Sequence, residues 1–135
     1  MTQQSHRALA IKPADTVVFT SMSKKYFYMR LFVTKFALEQ GAVPINPFAS
    51  FDYFLLDAVE RDTVRRANNT LVARADELWV FGDIADGVRA EIVQAWQQHK
   101  TVRFFAFRND KHIYEVELGD LVYEDGVEAL TSGGN

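Results

Sequence analysis

The sequence predicts a single α/β domain, a five-stranded and mostly parallel sheet with helices on both faces. Two observations predict it. Short runs rich in β-branched and aromatic residues alternate with segments of helical period between residues 16 and 107, the pattern that strand–helix–strand crossovers require. The chain has 135 residues, 48% hydrophobic and 24% charged, which suits one buried core and excludes disordered, collagenous and coiled-coil classes. The expected domain spans residues 1–130, followed by a disordered tail at 131–135.

Each element follows from local pattern. The run TVVFTSM at residues 16–22 is too short for a helix and ends in small polar residues, so it reads as a buried strand that stops near Thr20 and enters a loop. From Ser23 or Lys24 to Gln40, the apolar residues Phe27, Leu31 and Leu38, with Tyr28, Phe32 and Phe36 beside them, recur at helical spacing. Lys24, Arg30, Lys35 and Glu39 make the opposite face, and Gly41 is placed to end the helix in a left-handed cap. AVPIN at 42–46 is a brief second strand whose Pro44 argues for a sheet edge. FASFDYFLL at 48–56 has no clear period and reads as a loop with a short helical turn.

Residues 58–74 fit a helix with Val64, Ala67, Leu71 and Val72 inward and Arg61, Arg65, Arg66 and Asn69 in solvent. ELWVFG at 77–82 is the third strand, DIADG at 83–87 a turn, and Val88, Ile92, Ala95 and Trp96 define a helix running to about His99. TVRFFAF at 101–107 is the fourth strand, and the alternating segment 112–118 the fifth.

Composition excludes several functions. Fifteen Lys and Arg against eighteen Asp and Glu give a net charge of -3, so no global positive field draws nucleic acid or an anionic membrane. Zero Cys removes disulfides, thiolate metal sites and Cys nucleophiles, and fits a reducing compartment. The first ten residues lack the apolar core of a signal peptide and no apolar run approaches membrane-spanning length, so a cytoplasmic protein is expected. His6, His99 and His112 show neither metal-ligand spacing nor a triad pattern, and no metal or cofactor is expected; His99 at a helix end suits the dipole.

In doubly wound sheets ligands sit beyond the carboxyl ends of the strands, which points to the loops at 20–25, 46–52 and 83–91. Thr20, Ser21 and Ser23 could hydrogen-bond a phosphate or sugar, but no Gly stands among them, so neither a Walker loop nor a dinucleotide fingerprint is present. Gly87 precedes a helix start and Glu91 falls in its first turn, where an acid is either poised at the crevice or simply favoured by the dipole. Asp83, Asp86 and Glu91 form an acidic group at a strand end: two of them could divide a glycosyl transfer as nucleophile and acid, or the group is a hydrated turn.

The segments VVFTSM, GAVPINP, ADELWVFGD and DGVRAEIVQAW, taken in order, resemble the nucleoside 2-deoxyribosyltransferase-like superfamily, closest to its small, mostly uncharacterised bacterial and phage branch. The resemblance covers residues 16–107 and implies a Rossmann-like fold with the flavodoxin-like strand order 2-1-3-4-5. It also implies cleavage or exchange of an N-glycosidic bond, with the Glu four residues after the helix-start Gly as nucleophile; Glu91 after Gly87 matches that position. Asn68 stands where the transferases carry an Asp, and Ala85 where the family acid usually lies, so Asp83 or Asp86 would serve as the assisting acid. Val93 and the segment Thr20, Ser21 and Met22 replace family glycines.

Three functions follow. The first is an enzyme acting on a nucleoside or nucleotide, with Glu91, Asp83 and Asp86 catalytic, Phe48 or Phe51 as a stacking wall, and Thr20, Ser21, Asn46, Asn68 and Gly87 around the substrate. The second is a binding module that senses such a ligand without turning it over, which suits Asn68. The third is a structural or partner-binding protein; the aromatic segment 48–54 carries more apolar surface than a monomer's loop should expose, so a homo-oligomer is expected.

Overall fold

The computed structural model describes residues 6–11, 13, 15–51, 58–109 and 111–131. Strands β1 (Val17–Met22), β2 (Val43–Ile45), β3 (Glu77–Phe81), β4 (Thr101–Phe107) and β5 (Ile113–Val116) form one sheet in the order β2-β1-β3-β4-β5. The first four are parallel and β5 is antiparallel to β4. The expected fold class and strand order are therefore observed, and β2, with its Pro44, lies at the edge. The expected tail falls largely outside the described residues, as does most of the segment between Phe51 and Ala58.

Two layers of core flank the sheet because strand side chains alternate. Phe19, Leu78, Val80 and Phe104 pack with Val72 and the α4 residues Val88, Ile92 and Ala95 on one face. Val18, Trp79, Phe81 and Phe105 pack with Val33 and Ala37 on the other. Helices α3 (Arg61–Arg74) and α4 (Asp86–Gln97) thus cover the first face and α1 (Arg30–Glu39) the second, with the one-turn helix α2 (Pro47–Ser50) following β2. Helix α3 begins three residues later than expected, where Glu60 caps it by accepting the Thr63 N–H at 3.0 Å.

The expected inward face of the first helix is corrected. Leu31 and Leu38 are 70% and 56% exposed, whereas Met29, Val33 and Ala37 are buried. The reason is that residues Lys24–Met29 form a 3₁₀ helix, capped by Ser23, and the α-helix begins only at Arg30. Three residues per turn instead of 3.6 shifts the phase, so a periodicity counted from Phe27 points the wrong way. The left-handed cap at Gly41 is present, with φ +84° and the paired bonds Ala42 N–H to Ala37 O and Gly41 N–H to Leu38 O. Helix α4 ends in the same way on His99, at φ 59°.

The C-terminal segment, for which periodicity offers no element, returns to the sheet. Ile84 N–H donates to Val122 O and Glu124 N–H to Ile84 O, while Leu130 reaches the core beside α4. Arg89 Nε bonds Glu128 O at 2.8 Å, so the loop before α4 is held from both sides.

Two substitutions test this backbone. Gly82 has φ +81°, and a Cβ there would collide with the Tyr26 ring, so Gly82→Ala should lower stability by about 1–3 kcal/mol from backbone strain, with displacement of Tyr26 added. His99→Gly removes a side chain from a left-handed position and should raise stability by up to about 1 kcal/mol. Urea titrations of both variants against the parent check the two signs.

Candidate functional site

The site grows from the polar carboxyl end of β1. That strand runs two residues beyond its expected end, so Thr20 and Ser21 lie within the sheet, fully buried. Alternation sends them to opposite faces. Thr20 Oγ1 donates to Ile45 O at 3.1 Å and accepts from Asn46 Nδ2 at 3.0 Å. Asn46 Oδ1 in turn accepts the Phe48 N–H at 2.9 Å and caps α2. These groups are engaged with one another, and Phe48 is buried in the protein's own core, edge-on to Phe27 at 6.1 Å. Phe48 therefore offers no outward apolar surface to another copy. Phe51 is partly buried at the end of α2.

On the other face Ser21 Oγ donates to Glu91 Oε1 at 2.5 Å. Helix α4 starts at Asp86, so Glu91 is its sixth residue and lies in the second turn rather than the first, while Asp86 is the first-turn acid. Gly87 likewise is the second residue of the helix rather than the residue before it. A favourable dipole interaction fades beyond the first turn, so the dipole alone does not account for an acid here. Burial pushes the Glu91 carboxyl up from 4.5 to about 7, against the smaller lowering effect of the Ser21 hydroxyl. Among the described residues no Lys or Arg pairs with it. The residue nevertheless keeps part of its surface accessible.

The acids expected beside it stand elsewhere. Asp83 holds Lys25 at 2.7 Å, and its backbone N–H donates to Tyr26 Oη at 3.2 Å. Asp86 is exposed. Asn68 is partly buried on α3, and its Oδ1 is a buried acceptor with no hydrogen-bond partner. A buried unpaired acceptor costs free energy, which a ligand donor would recover. The structure thus brings Ser21 to Glu91, Thr20 to Asn46 and Phe48, and Asp83 to Lys25. Neither Asp is hydrogen-bonded to Glu91 among the described residues. Sequence reading missed Lys25 and Tyr26 because their contacts with Asp83 join positions nearly sixty residues apart, with no local signal. Among the described residues no group of three or more His, Asp or Glu could hold a metal ion, and no helix is long and apolar enough to cross a membrane.

A doubly wound α/β domain with a desolvated carboxyl against the interior strand β1 is the class that fold and site define. Residues 20–105 match the family described as a domain of unknown function, DUF7768, and the chain belongs to that family. Among solved structures, a 2-desoxiribosyltransferase from Leishmania mexicana is similar over 84% of this chain and 89% of its own, at 12% identity and a TM-score of 0.49. That likeness is too distant to carry an argument. No curated protein matches the sequence.

The raised Glu91 carboxyl has a stability consequence of definite sign. Below about pH 4.5 the group is protonated folded or unfolded; between there and about 7 the unfolded chain releases the proton while the native one keeps it. Stability therefore falls as pH rises through this window, by roughly 3 kcal/mol in all. Glu91→Gln, which retains an acceptor for Ser21, should flatten that dependence and be the more stable protein on the alkaline side. Urea titrations on either side of the window measure the difference.

Proposed function

We propose that this protein cleaves or exchanges the N-glycosidic bond of a nucleoside or nucleotide through Glu91. The observation that carries the reading is a desolvated carboxyl with no cationic partner among the described residues, oriented by one short hydrogen bond from Ser21. The segments that resemble the deoxyribosyltransferase-like superfamily support it from the sequence side, since Glu91 occupies the position of that group's nucleophile. A carboxylate poorly solvated in its own site attacks more readily than one held by water or by an ion pair.

In the first step a Glu91 oxygen bonds the anomeric carbon as the bond from that carbon to the base nitrogen breaks. The electron pair leaves with the base, which takes up a proton. The glycosyl ester is then opened at the same carbon by water, or by a nitrogen of a second base, and the Glu91 carboxylate is restored. Asp86 is the assisting acid in this reading, because Asp83 is held by Lys25. The unpaired Oδ1 of Asn68 is a substrate acceptor, and Phe51 a stacking wall for the base.

A second reading, a module that binds such a ligand without reaction, is favoured by one observation: no second carboxylate is hydrogen-bonded to Glu91 among the described residues. Base release from a panel of nucleosides and nucleotides, with and without an acceptor base, separates the two. Catalysis predicts that Glu91→Ala abolishes release while the fold persists, and unchanged activity in that variant would exclude the mechanism. Because the ionised form attacks, kcat/KM should rise with pH and level off above about 7. Tight nucleotide binding without turnover would establish the binding module instead.

A further inference from the structure

A cavity lies at the carboxyl ends of β3 and β4, where β5 turns back beside them. Its volume is about 780 Å³, and neither Ser21 nor Glu91 lines it. Tyr26 and Phe107 form one wall, their ring centroids 5.0 Å apart. Gly82 permits that wall to close on the strand, since any side chain there would meet both rings. Tyr114 also lines it.

The charges around this cavity are unequal in what they have left to offer. Of the two acids among its described lining residues, Asp83 is held by Lys25 at 2.7 Å, and Asp120 accepts the Glu117 N–H at 3.1 Å. The lining cations Arg108 and Lys111 have no carboxylate partner among the described residues. Each instead rests over an aromatic ring, Arg108 on Tyr114 at 5.1 Å and Lys111 on Phe32 at 4.9 Å. Such contacts do not use the hydrogen-bond donors, so among the described residues both groups keep donors for an anion.

We propose that this cavity is a binding site for a small aromatic anion, with the ring against Tyr26 and Phe107 and the charged group between Arg108 and Lys111. Aromatic walls supply apolar contact, and paired cations at the rim supply charge-assisted hydrogen bonds and orientation. The proposal is independent of the Glu91 reading, because none of Ser21, Phe51, Asn68, Asp86 and Glu91 is among the residues that line this cavity.

Phenyl phosphate is the probe, with inorganic phosphate and phenol to separate the contributions of charge and ring. Titration followed by amide chemical shifts should show saturable binding to the parent and to Glu91→Gln alike, with shifts centred on Gly82, Phe107, Asn109 and Tyr114. Arg108→Gln with Lys111→Gln, both at exposed positions, should weaken it by roughly tenfold or more. Phosphate and phenol should each bind more weakly than phenyl phosphate. The proposal is overturned by no saturable binding to the parent, by unchanged affinity in the double variant, or by shifts centred on Ser21 and Glu91.

Discussion

The reciprocal attachment of Val17 to Asp76 sets the register on which this molecule is built. Val17 N–H donates to Asp76 Oδ2 at 2.8 Å, and Asp76 N–H donates back to Val17 O at 2.8 Å. From that pin, β1 and β3 run parallel as Val18 to Met22 pair with Glu77 to Phe81. A register slip of one residue would turn every side chain to the wrong face, and both faces here are core. The acid of the ADELWVFGD segment is thus a structural clamp at the amino end of the sheet, remote in role from the acids at its carboxyl end.

With the register held, the polar end of β1 becomes the pivot of the site. Burying two hydroxyls is tolerable only when each finds partners, and each does, on its own face. Thr20 is satisfied by the turn from β2 into α2, and Ser21 by the carboxyl of Glu91. Serving Ser21 draws Glu91 out of water, and the loss of hydration raises its pKa toward neutrality. A short hydrogen bond and a costly desolvation are therefore two aspects of one arrangement. Its orientation depends on where α4 begins, which the C-terminal segment settles through Ile84, Val122 and Glu124.

The aromatic load is divided between stability and surface. Trp79, Phe81, Phe105 and Phe36 pack around one another, with Phe81 and Phe105 stacked at 4.9 Å and Phe36 edge-on to both. Arg103 covers Trp79 at 4.6 Å while holding Glu115 through two hydrogen bonds, so a charged pair roofs this face at the β4–β5 edge. Tyr28, Leu31, Phe32 and Leu38 stay outside.

The sequence by itself determined what depends on near neighbours. Strand runs, helical periods, the left-handed turn at Gly41 and the edge position marked by Pro44 all arise from forces acting within a few residues, so they could be read along the chain. The place after Gly87 leaves Glu91 with two readings, and alternation of elements yields a mostly parallel sheet; the resemblance carried by the motifs is what singles out Glu91 and implies the strand order. The phase of α1 was not legible, because a 3₁₀ turn over Lys24–Met29 leaves no mark in a hydrophobic pattern. Nor could spacing reveal that Glu91 belongs to Ser21, Asp83 to Lys25, or Ile84 to the C-terminal segment, since those partners lie 38 to 70 residues apart, Ser21 and Glu91 being separated by 70 and Lys25 and Asp83 by 58. Only tertiary packing decides such pairings, because hydration, burial and hydrogen bonding act through space once the sheet has brought distant segments together.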